Sequence, residues 1–426
     1  MPAAVSPLHF VRAGGPGTVG RHPIPHKPTR RRLESGIEMQ GNLHTLGYFS
    51  ATMCVGEPVQ HFDVIIDTGS ALTAVPCVDC SHCGAHTHDG YTRARYDGSN
   101  SASFSALNCH DGSFNHCHSC TSGNQCSYSV SYTEGSSIRG RMVADTAWFA
   151  SDSGTHLNGV PCTFGCQTYE SGLFYSQVAD GISGLSQSQS YGPTLFDWLR
   201  TATGAPNVFS ICLDEEVGAL VLGGSVPAET RANAAWIPYA GYGSYSVALS
   251  DISIGSSRHR AVAWPVADTL GSHMTHAPLR ILRRMGYSQH SFGSTIVDSG
   301  TSFMYLPPAP YQAVLTHWRT HCPWGSCNLH SAPGDYSDDY CYRIDRTTLL
   351  QFDPFTLHFS NGVSLPFGPL EYAYELYAGL WCMGIFDNGH SGAVLGGECH
   401  PHRPRLASVT ETLHLCPQRP TCAITR

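Results

Sequence analysis

Short runs in which apolar and polar residues alternate recur along most of the chain. Each run is bounded by Gly, Asp or Ser, and many of its apolar residues are β-branched. The runs are FDVIID (62–67), CSYSVSY (126–132), GALVLGG (218–224), SYSVALSDISIG (244–255) and STIVD (294–298). A period of two between turn residues is typical of β-strands. The pattern therefore predicts a chain built mainly from strands.

Two segments have the longer period of a helix. They are TLFDWLRTAT (194–203) and PAPYQAVLTHWRTHC (308–322), the second with Pro near its start. Proline is well tolerated in the first turn of a helix, so its position supports the prediction. Strands that recur throughout with so few helices indicate an all-β fold class.

Length and charge limit the classes of protein to which the chain can belong. The chain has 426 residues, enough for two large lobes, and only 13% of them are charged, about half the usual share. The formal net charge is −8 and no long basic run is present, which excludes a typical nucleic-acid-binding protein. We expect a monomer without a cofactor.

The cysteine content predicts an oxidising compartment. The chain has 18 cysteines, and seven of them lie between Cys77 and Cys126. Such density is typical of disulfide-bonded proteins of the secretory pathway, either in the endoplasmic reticulum or in an extracellular or vacuolar lumen. The first residues contain no clear signal peptide, and no stretch reaches transmembrane length, so membrane attachment is not evident.

One motif occurs twice, half a chain apart. VIIDTGSALTAVPC (64–77) and STIVDSGTSFMYLP (294–307) share an apolar run, Asp, a hydroxyl residue, Gly and a second hydroxyl residue. Each is followed later by an apolar segment with Gly, DGISGLS (180–186) and AVLGGE (393–398). The repeat predicts two similar lobes, each contributing one Asp loop to a shared site.

The chemistry of paired carboxylates explains such a repeat. If Asp67 and Asp298 lie close together they cannot both ionise, so they share one proton. One then acts as general base on a water and the other protonates a peptide carbonyl, without a metal. We expect Thr68 or Ser299 to bond to the opposite loop and Ser70 and Thr301 to bond to the carboxylates. Gly69 and Gly300 permit the tight turns.

These residues resemble the pepsin-like aspartic peptidases, family A1, over roughly residues 46–397. SYTEGSSIRGRMVADT resembles the hairpin flap of the family, with Tyr132 and Gly135 at the flap positions. The resemblance implies a bilobal all-β fold with the active site in the cleft between the lobes. It implies an aspartic endopeptidase whose partner is a polypeptide substrate.

The resemblance also implies a domain organisation. Residues 1–40, rich in Gly, Pro and Arg, are interpreted as a disordered leader or pro-segment. The remaining boundaries are an N-terminal lobe at 41–206 with a Cys-rich insertion at 77–126 and a flap at 128–145, a C-terminal lobe at 207–398, and an atypical tail at 399–426.

The insertion is similar to that of the nepenthesin and plasmepsin V-like group. The shared text is PCxxCxxCGxH after the first Asp loop, YxEGSxIxG in the flap and FDNG at 386–389. In that group the resemblance implies a processing peptidase of the secretory pathway that cuts after Arg-x-Leu-like motifs. Glu134 in the flap and Gln177 would then bind the cationic residue of the substrate, because a carboxylate pairs well with a guanidinium in a water-poor cleft.

The cysteine chemistry leaves alternatives open. The spacing of Cys77, Cys80 and Cys83, and of Cys117 and Cys120, also suits zinc, and six histidines lie in the same insertion. Disulfides are favoured over zinc in an oxidising lumen. Cys54 or a cysteine of the insertion could pair outside the cluster, and Cys162 and Cys166 are close enough in sequence to form a small loop.

Two departures from the family pattern matter. Ala74 stands where the family often has a Trp that supports the flap tyrosine, so Tyr132 needs another partner. The tail contains several Pro and no strand pattern, so we expect no strands after residue 398. The tail keeps open the alternative of a catalytically inactive, aspartic-protease-like binding protein.

Overall fold

The computed structural model divides into two compact units. Unit 1 comprises Met1–Cys212 and Glu216–Ser225, and unit 2 comprises Leu213–Glu215 and Val226–Arg426. The residues that the structure describes are 36–42, 46–88, 91–92, 94–109, 114–132, 135–150, 159–213, 217–223, 235–241, 243–255, 283–320, 341–397, 407–409, 412–415 and 424–425. The predicted leader at 1–40 falls almost wholly outside them.

Strands dominate unit 1, as the alternating runs predict. They are β1 (Ile37–Asn42), β2 (Tyr48–Val55), β3 (Gln60–Asp67), β4 (Thr73–Pro76), β5 (Thr87–His88), β6 (Tyr91–Thr92), β7 (Ser105–Ala106), β8 (Ser119–Cys120), β9 (Cys126–Ser131), β10 (Ser137–Phe149), β11 (Val160–Ser171), β12 (Gly181–Gly184), β13 (Val208–Leu213) and β14 (Val217–Leu222). The helices are α1 (Leu173–Ser176), α2 (Leu195–Thr203) and a single 3-10 turn at Gly98–Asn100.

All of these strands except β5 and β6, which pair with each other, belong to one large sheet. Antiparallel pairs join β1 to β2, β2 to β3 and β10 to β11, while β4 runs parallel to β11. Burial largely alternates along β10, which places one set of its side chains in the interior, and the last four residues of β3 are all buried. A cluster that includes Leu72, Ala74, Ile138, Phe174 and Ile182 is buried there.

Unit 2 is also built from strands. They are β15 (Ala235–Pro238), β16 (Ser246–Val247), β17 (Leu249–Ile254), β18 (Arg283–Arg284), β19 (Thr295–Val297), β20 (Met304–Leu306), β21 (Cys341–Arg343), β22 (Phe355–Phe359), β23 (Ser364–Phe367), β24 (Ala373–Tyr377), β25 (Leu380–Met383), β26 (Ile385–Asp387), β27 (Val394–Leu395), β28 (Ala407–Val409), β29 (Thr412–Leu415) and β30 (Ile424–Thr425). The helices are α3 (Pro308–Thr320), α4 (Arg346–Leu349) and 3-10 turns at Gln289–Ser291 and Pro369–Glu371.

Both predicted helices are confirmed within the described residues. Thr194 caps α2, and a capping box joins its hydroxyl to the Asp197 backbone N–H and the Asp197 carboxylate to the Thr194 N–H. Gly204 ends the helix in the left-handed conformation, at φ +67°. Helix α3 begins at Pro308, as the sequence predicts, and packs Trp318 against Tyr342 in unit 2.

Disulfides connect the insertion to itself and to the main sheet. Among the described cysteines the bonds are Cys77–Cys166, Cys80–Cys83, Cys109–Cys120, Cys117–Cys126 and Cys341–Cys382. This confirms the disulfide prediction and shows one cysteine of the insertion pairing outside it.

The expected loop between Cys162 and Cys166 is wrong. Both residues lie in β11, where four residues of extended backbone span about 13 Å and keep their sulfurs apart. Cys162 is a buried free thiol, and burial raises its pKa to about 12. Cys54 is also free and buried.

The expectation of a tail without strands is wrong as well. Strands β28, β29 and β30 follow residue 398, with β29 antiparallel to both β28 and β15. The segment Thr412–Leu415 reads TLHL, a short alternation that was overlooked beside the neighbouring prolines. In the part of the chain that the structure describes, no helix is long and apolar enough to span a bilayer.

Candidate active site

The first Asp loop is a sharp connection between two buried strands. β3 ends at Asp67, and β4 begins at Thr73 after the turn. The Asp67 Oδ1 atom accepts a hydrogen bond from the Gly69 N–H at 2.7 Å, and the Asp67 side chain is largely buried. This bond fixes the carboxylate at the end of the strand.

A third strand crosses this loop. β12 runs parallel to β3, with Gly184 opposite Asp67, and antiparallel to β4. The Leu185 N–H donates to the Asp67 carbonyl at 2.7 Å. A Cβ atom on Gly184 would overlap the backbone at Ser70 and Leu72, so the crossing requires glycine. The segment DGISGLS noted in the sequence therefore contains the strand that crosses the first Asp loop.

The second Asp loop has the same construction in unit 2. Asp298 follows β19, and β27 runs parallel to β19 and antiparallel to β20. The Asp298 Oδ1 atom accepts from the Gly300 N–H at 2.9 Å, and its Oδ2 atom accepts from the Thr301 hydroxyl at 2.6 Å. A Cβ atom on Gly396 would overlap the carbonyl oxygens of Phe303 and Thr301.

The two loops differ in their second hydroxyl residue. Thr301 bonds to the Asp298 carboxylate, as the sequence predicts. The Ser70 hydroxyl is buried and has no hydrogen-bond partner among the described residues, so the predicted bond from Ser70 to its carboxylate is wrong. Only the backbone carbonyl of Ser70 is engaged, by the Ser186 N–H at 2.9 Å. Thr68 and Ser299 are buried beside their carboxylates.

The predicted flap is a hairpin. β9 and β10 pair antiparallel from Ser131 opposite Ser137, and the turn is closed by the bonds of Tyr132 N–H to Ser136 O and of Gly135 N–H to Tyr132 O. Gly135 has φ +96°, which favours glycine. Glu134 lies outside the described residues.

The ring of the flap tyrosine contacts a phenylalanine in place of the Trp that the family often has. The Tyr132 ring packs against Phe174 of α1 with the ring centroids 4.8 Å apart. Ala74 lies in the same buried cluster as Phe174, so a small residue in β4 leaves room for a Phe supplied from α1. Phe174 was not predicted, and no local pattern in the sequence indicates it.

Gln177 lies in a tightly held segment that leads into β12. Its Nε2 atom donates to the Ala179 carbonyl at 3.1 Å. The Tyr48 hydroxyl accepts from the N–H groups of Val178 and Ala179 at 3.1 and 2.9 Å. Burial raises the pKa of Tyr48, so its hydroxyl stays protonated. Asp180 then bonds to the Asp63 backbone through both N–H and carboxylate.

The start of the insertion packs on the end of β11. The Arg95 guanidinium donates to the carbonyls of Cys80 and Cys83 at 2.7 and 2.9 Å. The His82 ring lies 4.8 Å from the rings of Tyr169 and Tyr175. The Arg95 cation thus lies among backbone carbonyls, and stacked aromatic rings anchor the loop.

A buried ion pair lies next to this contact. His86 is 4% exposed and Glu170 is 0% exposed, with the His86 Nε2 and Glu170 Oε2 atoms 3.1 Å apart. Glu170 Oε2 also accepts from the Gly84 N–H at 2.9 Å. Sequence reasoning grouped His86 with the other histidines of the insertion and did not find Glu170, which is 84 positions away.

Two cysteine sets could be compared with metal sites. The ligand atoms of Cys109, Cys117 and Cys120, and those of Cys77, Asp79 and Cys166, lie within 4.8 Å of one another. Every sulfur in both sets belongs to a disulfide. A disulfide sulfur is not the thiolate that zinc requires, so the described residues favour disulfides over the zinc alternative.

Comparison with known proteins decides the family. A profile described as "Xylanase inhibitor N-terminal" matches residues 49–224, and one described as "Xylanase inhibitor C-terminal" matches residues 244–399. Both belong to the pepsin-like fold, and together they cover most of the chain. The chain belongs to the pepsin-like aspartic peptidase family. Its two matched halves correspond to the two Asp loops described above, one in each half.

Relatives of this pepsin-like chain carry protease names. Aspartic protease 5 of Toxoplasma gondii is 31% identical over 332 residues, which is 70% of this chain and 32% of that protein. Plasmepsin V of Plasmodium falciparum is 32% identical over 192 residues, 45% of this chain and 32% of its own length. Nepenthesin-1 of Nepenthes gracilis is 26% identical over 378 residues, covering 86% of this chain and 77% of that protein. The first two matches thus span about a third of those longer relatives.

Proposed function

We propose that this protein is an aspartic endopeptidase in which Asp67 and Asp298 share one proton over a bound water. The observation that carries the proposal is the duplicated loop, in which a carboxylate at a strand end accepts a bond from the N–H two residues later. Each loop is braced by a crossing strand that leaves the carboxylate little freedom. Rigid placement of this kind is what proton transfer in a transition state requires.

The reaction follows from one shared proton. The ionised carboxylate takes a proton from water while the oxygen attacks the peptide carbonyl carbon, and the protonated carboxyl gives its proton to the carbonyl oxygen. The resulting diol collapses when the carboxyl that took the water proton gives it to the amide nitrogen, and the other carboxylate takes a proton from a diol hydroxyl. The carbon–nitrogen bond then breaks to release an acid and an amine, and the dyad again holds one proton. The Thr301 hydroxyl would hold the Asp298 carboxyl group in its orientation. We expect activity at mildly acidic to neutral pH.

The proposal also includes a specific class of substrate. A processing activity that cuts after Arg-x-Leu-like motifs is supported by the similarity to plasmepsin V and by the acidic flap residue Glu134. Gln177 would add a neutral polar contact to the same cation. The disulfides support the secretory pathway, in the endoplasmic reticulum or an extracellular or vacuolar lumen. The proposal also includes a monomeric state and a division of the chain into lobes at 41–206 and 207–398 and a tail at 399–426.

The test is cleavage of a peptide library across pH 4–7, with Asp298→Asn as the matched control. We expect hydrolysis that falls by about a thousandfold in the control, since general acid–base catalysis contributes about 10²- to 10⁴-fold. A preference for Arg two residues before a Leu at the cut would support the processing activity. Broad cleavage would contradict the narrow specificity and keep the peptidase.

A second function has one observation in its favour. Both matching family profiles are described by a xylanase inhibitor, so the same fold serves binding proteins. The presence of an Asp loop in each half favours the enzyme over a catalytically inactive binding protein. A folded, disulfide-bonded sample that cleaves no peptide of the library would support the binding protein instead.

A further inference from the structure

Both ring nitrogens of the buried His86 face oxygen atoms. Nε2 lies 3.1 Å from the Glu170 carboxylate, and Nδ1 lies 3.3 Å from the backbone carbonyl of Gln177. His86 therefore bridges two elements of unit 1, the end of β11 and the segment that carries Gln177 into β12.

The protonation state follows from these partners. A carbonyl oxygen can only accept, so Nδ1 must carry a proton to bond to Gln177. When Glu170 is ionised, its Oε2 atom can only accept, so Nε2 must also carry a proton. Neutral imidazole has a single N–H, so beside the Glu170 carboxylate only the imidazolium ion satisfies both contacts.

The surrounding charges favour the same ion. Burial by itself lowers the pKa of His86, but the hydrogen bond and charge of Glu170, the charge of Asp180 and the Gln177 carbonyl together raise it above its ordinary value. Two further described groups lie near Glu170. Burial raises the pKa of Tyr128 in β9 well above its usual range, and His82 bonds to the Glu170 backbone carbonyl.

We propose that His86 is a pH-dependent positioning residue for the substrate-binding segment Gln177–Asp180. As an imidazolium it holds the Gln177 carbonyl from the side of the insertion, while Tyr48 holds the next two N–H groups from β2. When His86 loses its proton, its remaining N–H stays with the Glu170 carboxylate and the bond to the Gln177 carbonyl is lost. The segment then keeps only its other contacts, among them the bonds of Tyr48 to Val178 and Ala179 and of Asp180 to Asp63. The inference deepens the proposed function, because it assigns a regulator to the Gln177 contact.

The direction of the pH effect is fixed by the raised pKa. The stability that the His86–Glu170 pair contributes is fully present below the ordinary histidine pKa of about 6.5. It is lost as the pH rises through the folded-state pKa. Substrate binding at this segment should therefore weaken on the alkaline side of the activity profile and not on the acidic side.

The activity test compares Glu170→Gln with the wild type. The amide keeps an acceptor for Gly84 and His86 but removes the charge, so the alkaline limb of kcat/KM should move down by about 1 pH unit. The shift should appear mainly in KM, since the segment contacts substrate and not the reacting water. The control is Asp353→Asn, which changes another histidine–carboxylate pair, His317–Asp353, at 3.2 Å in unit 2. It should leave the alkaline limb in place.

A second measurement needs no activity. The His86 ring proton is titrated by NMR in the substrate-free protein and assigned with His86→Gln, while the amide signals of Val178 and Ala179 are followed. We expect a midpoint above about 6.5, lower in Glu170→Gln, with the two amide signals following the same curve. The proposal would be overturned by a wild-type midpoint at or below that value, or by Val178 and Ala179 amide signals that do not follow the His86 titration. An inactive protein with the expected titration would contradict the proposed function and leave the positioning role of His86 supported.

Discussion

The Asp67 and Asp298 loops share a backbone and differ in the support of their carboxylates. In both, the first oxygen accepts from the glycine N–H two residues on, at 2.7 Å and 2.9 Å. The Thr301 hydroxyl bonds to the second Asp298 oxygen, whereas the Ser70 hydroxyl bonds to no described residue. Asp298 is also the more exposed of the two carboxylates. The two loops thus share a scaffold, while the hydrogen bonding and the exposure of their carboxylates differ.

We expect equal losses of stability when the glycine that packs against either Asp loop is replaced. Gly184→Ala and Gly396→Ala each place a Cβ atom against backbone carbonyls at the crossing strand. We expect each change to destabilise the protein by about 3 kcal/mol, because backbone cannot move aside as a side chain can. Urea unfolding measures the loss. Gly123→Ala is the control, since its Cβ would meet only Thr121 Oγ1, at 3.7 Å. A much smaller loss in one of the two glycine variants would break the equivalence of the loops.

We expect unequal losses of activity when the second hydroxyl residue of each Asp loop is replaced. Thr301→Val removes a charge-assisted bond from Asp298, and we expect it to lower kcat/KM by about 30-fold, or about 2 kcal/mol. Ser70→Ala removes a hydroxyl that bonds to nothing described, and its kcat/KM should change less than about twofold. Peptide hydrolysis by the two purified variants measures the difference. Equal losses would show that Ser70 supports Asp67 in solution.

The smallest effect concerns a buried histidine in unit 2. Burial and the charge of Arg284 lower the pKa of His358, while Asp251 opposes them, and both ring nitrogens lie near hydroxyls of Ser253 and Ser364. The unfolded chain therefore binds the proton more readily, so stability falls as the pH drops below about 6.5 towards the folded-state pKa. His358→Gln should reduce the stability difference between pH 7.5 and 5.5 by about 1 kcal/mol. An unchanged difference would contradict this assignment.

Local patterns predicted the strands and both Asp loops, because alternation and turn residues are encoded within a few positions. β3, β9 and β19 each lie where FDVIID, CSYSVSY and STIVD place them. The contacts that were missed join distant positions. Phe174 reaches Tyr132 across 42 positions of the chain, and His86 reaches Glu170 across 84. No spacing rule connects such residues, and only tertiary packing brings them together: α1 against the flap in one case and β11 against the insertion in the other.

The bond between Cys77 and Cys166 gives the chain the topology of a closed ring with two arms. The ring contains the whole insertion from residue 78 onward and the flap hairpin, and the arms lead to the remainder of the molecule. A single proteolytic nick anywhere within the ring opens it without releasing a fragment. The nicked chain would migrate as one species on a non-reducing gel and as two after reduction. The insertion and the flap of this peptidase-like chain can therefore be cut while the two pieces stay joined.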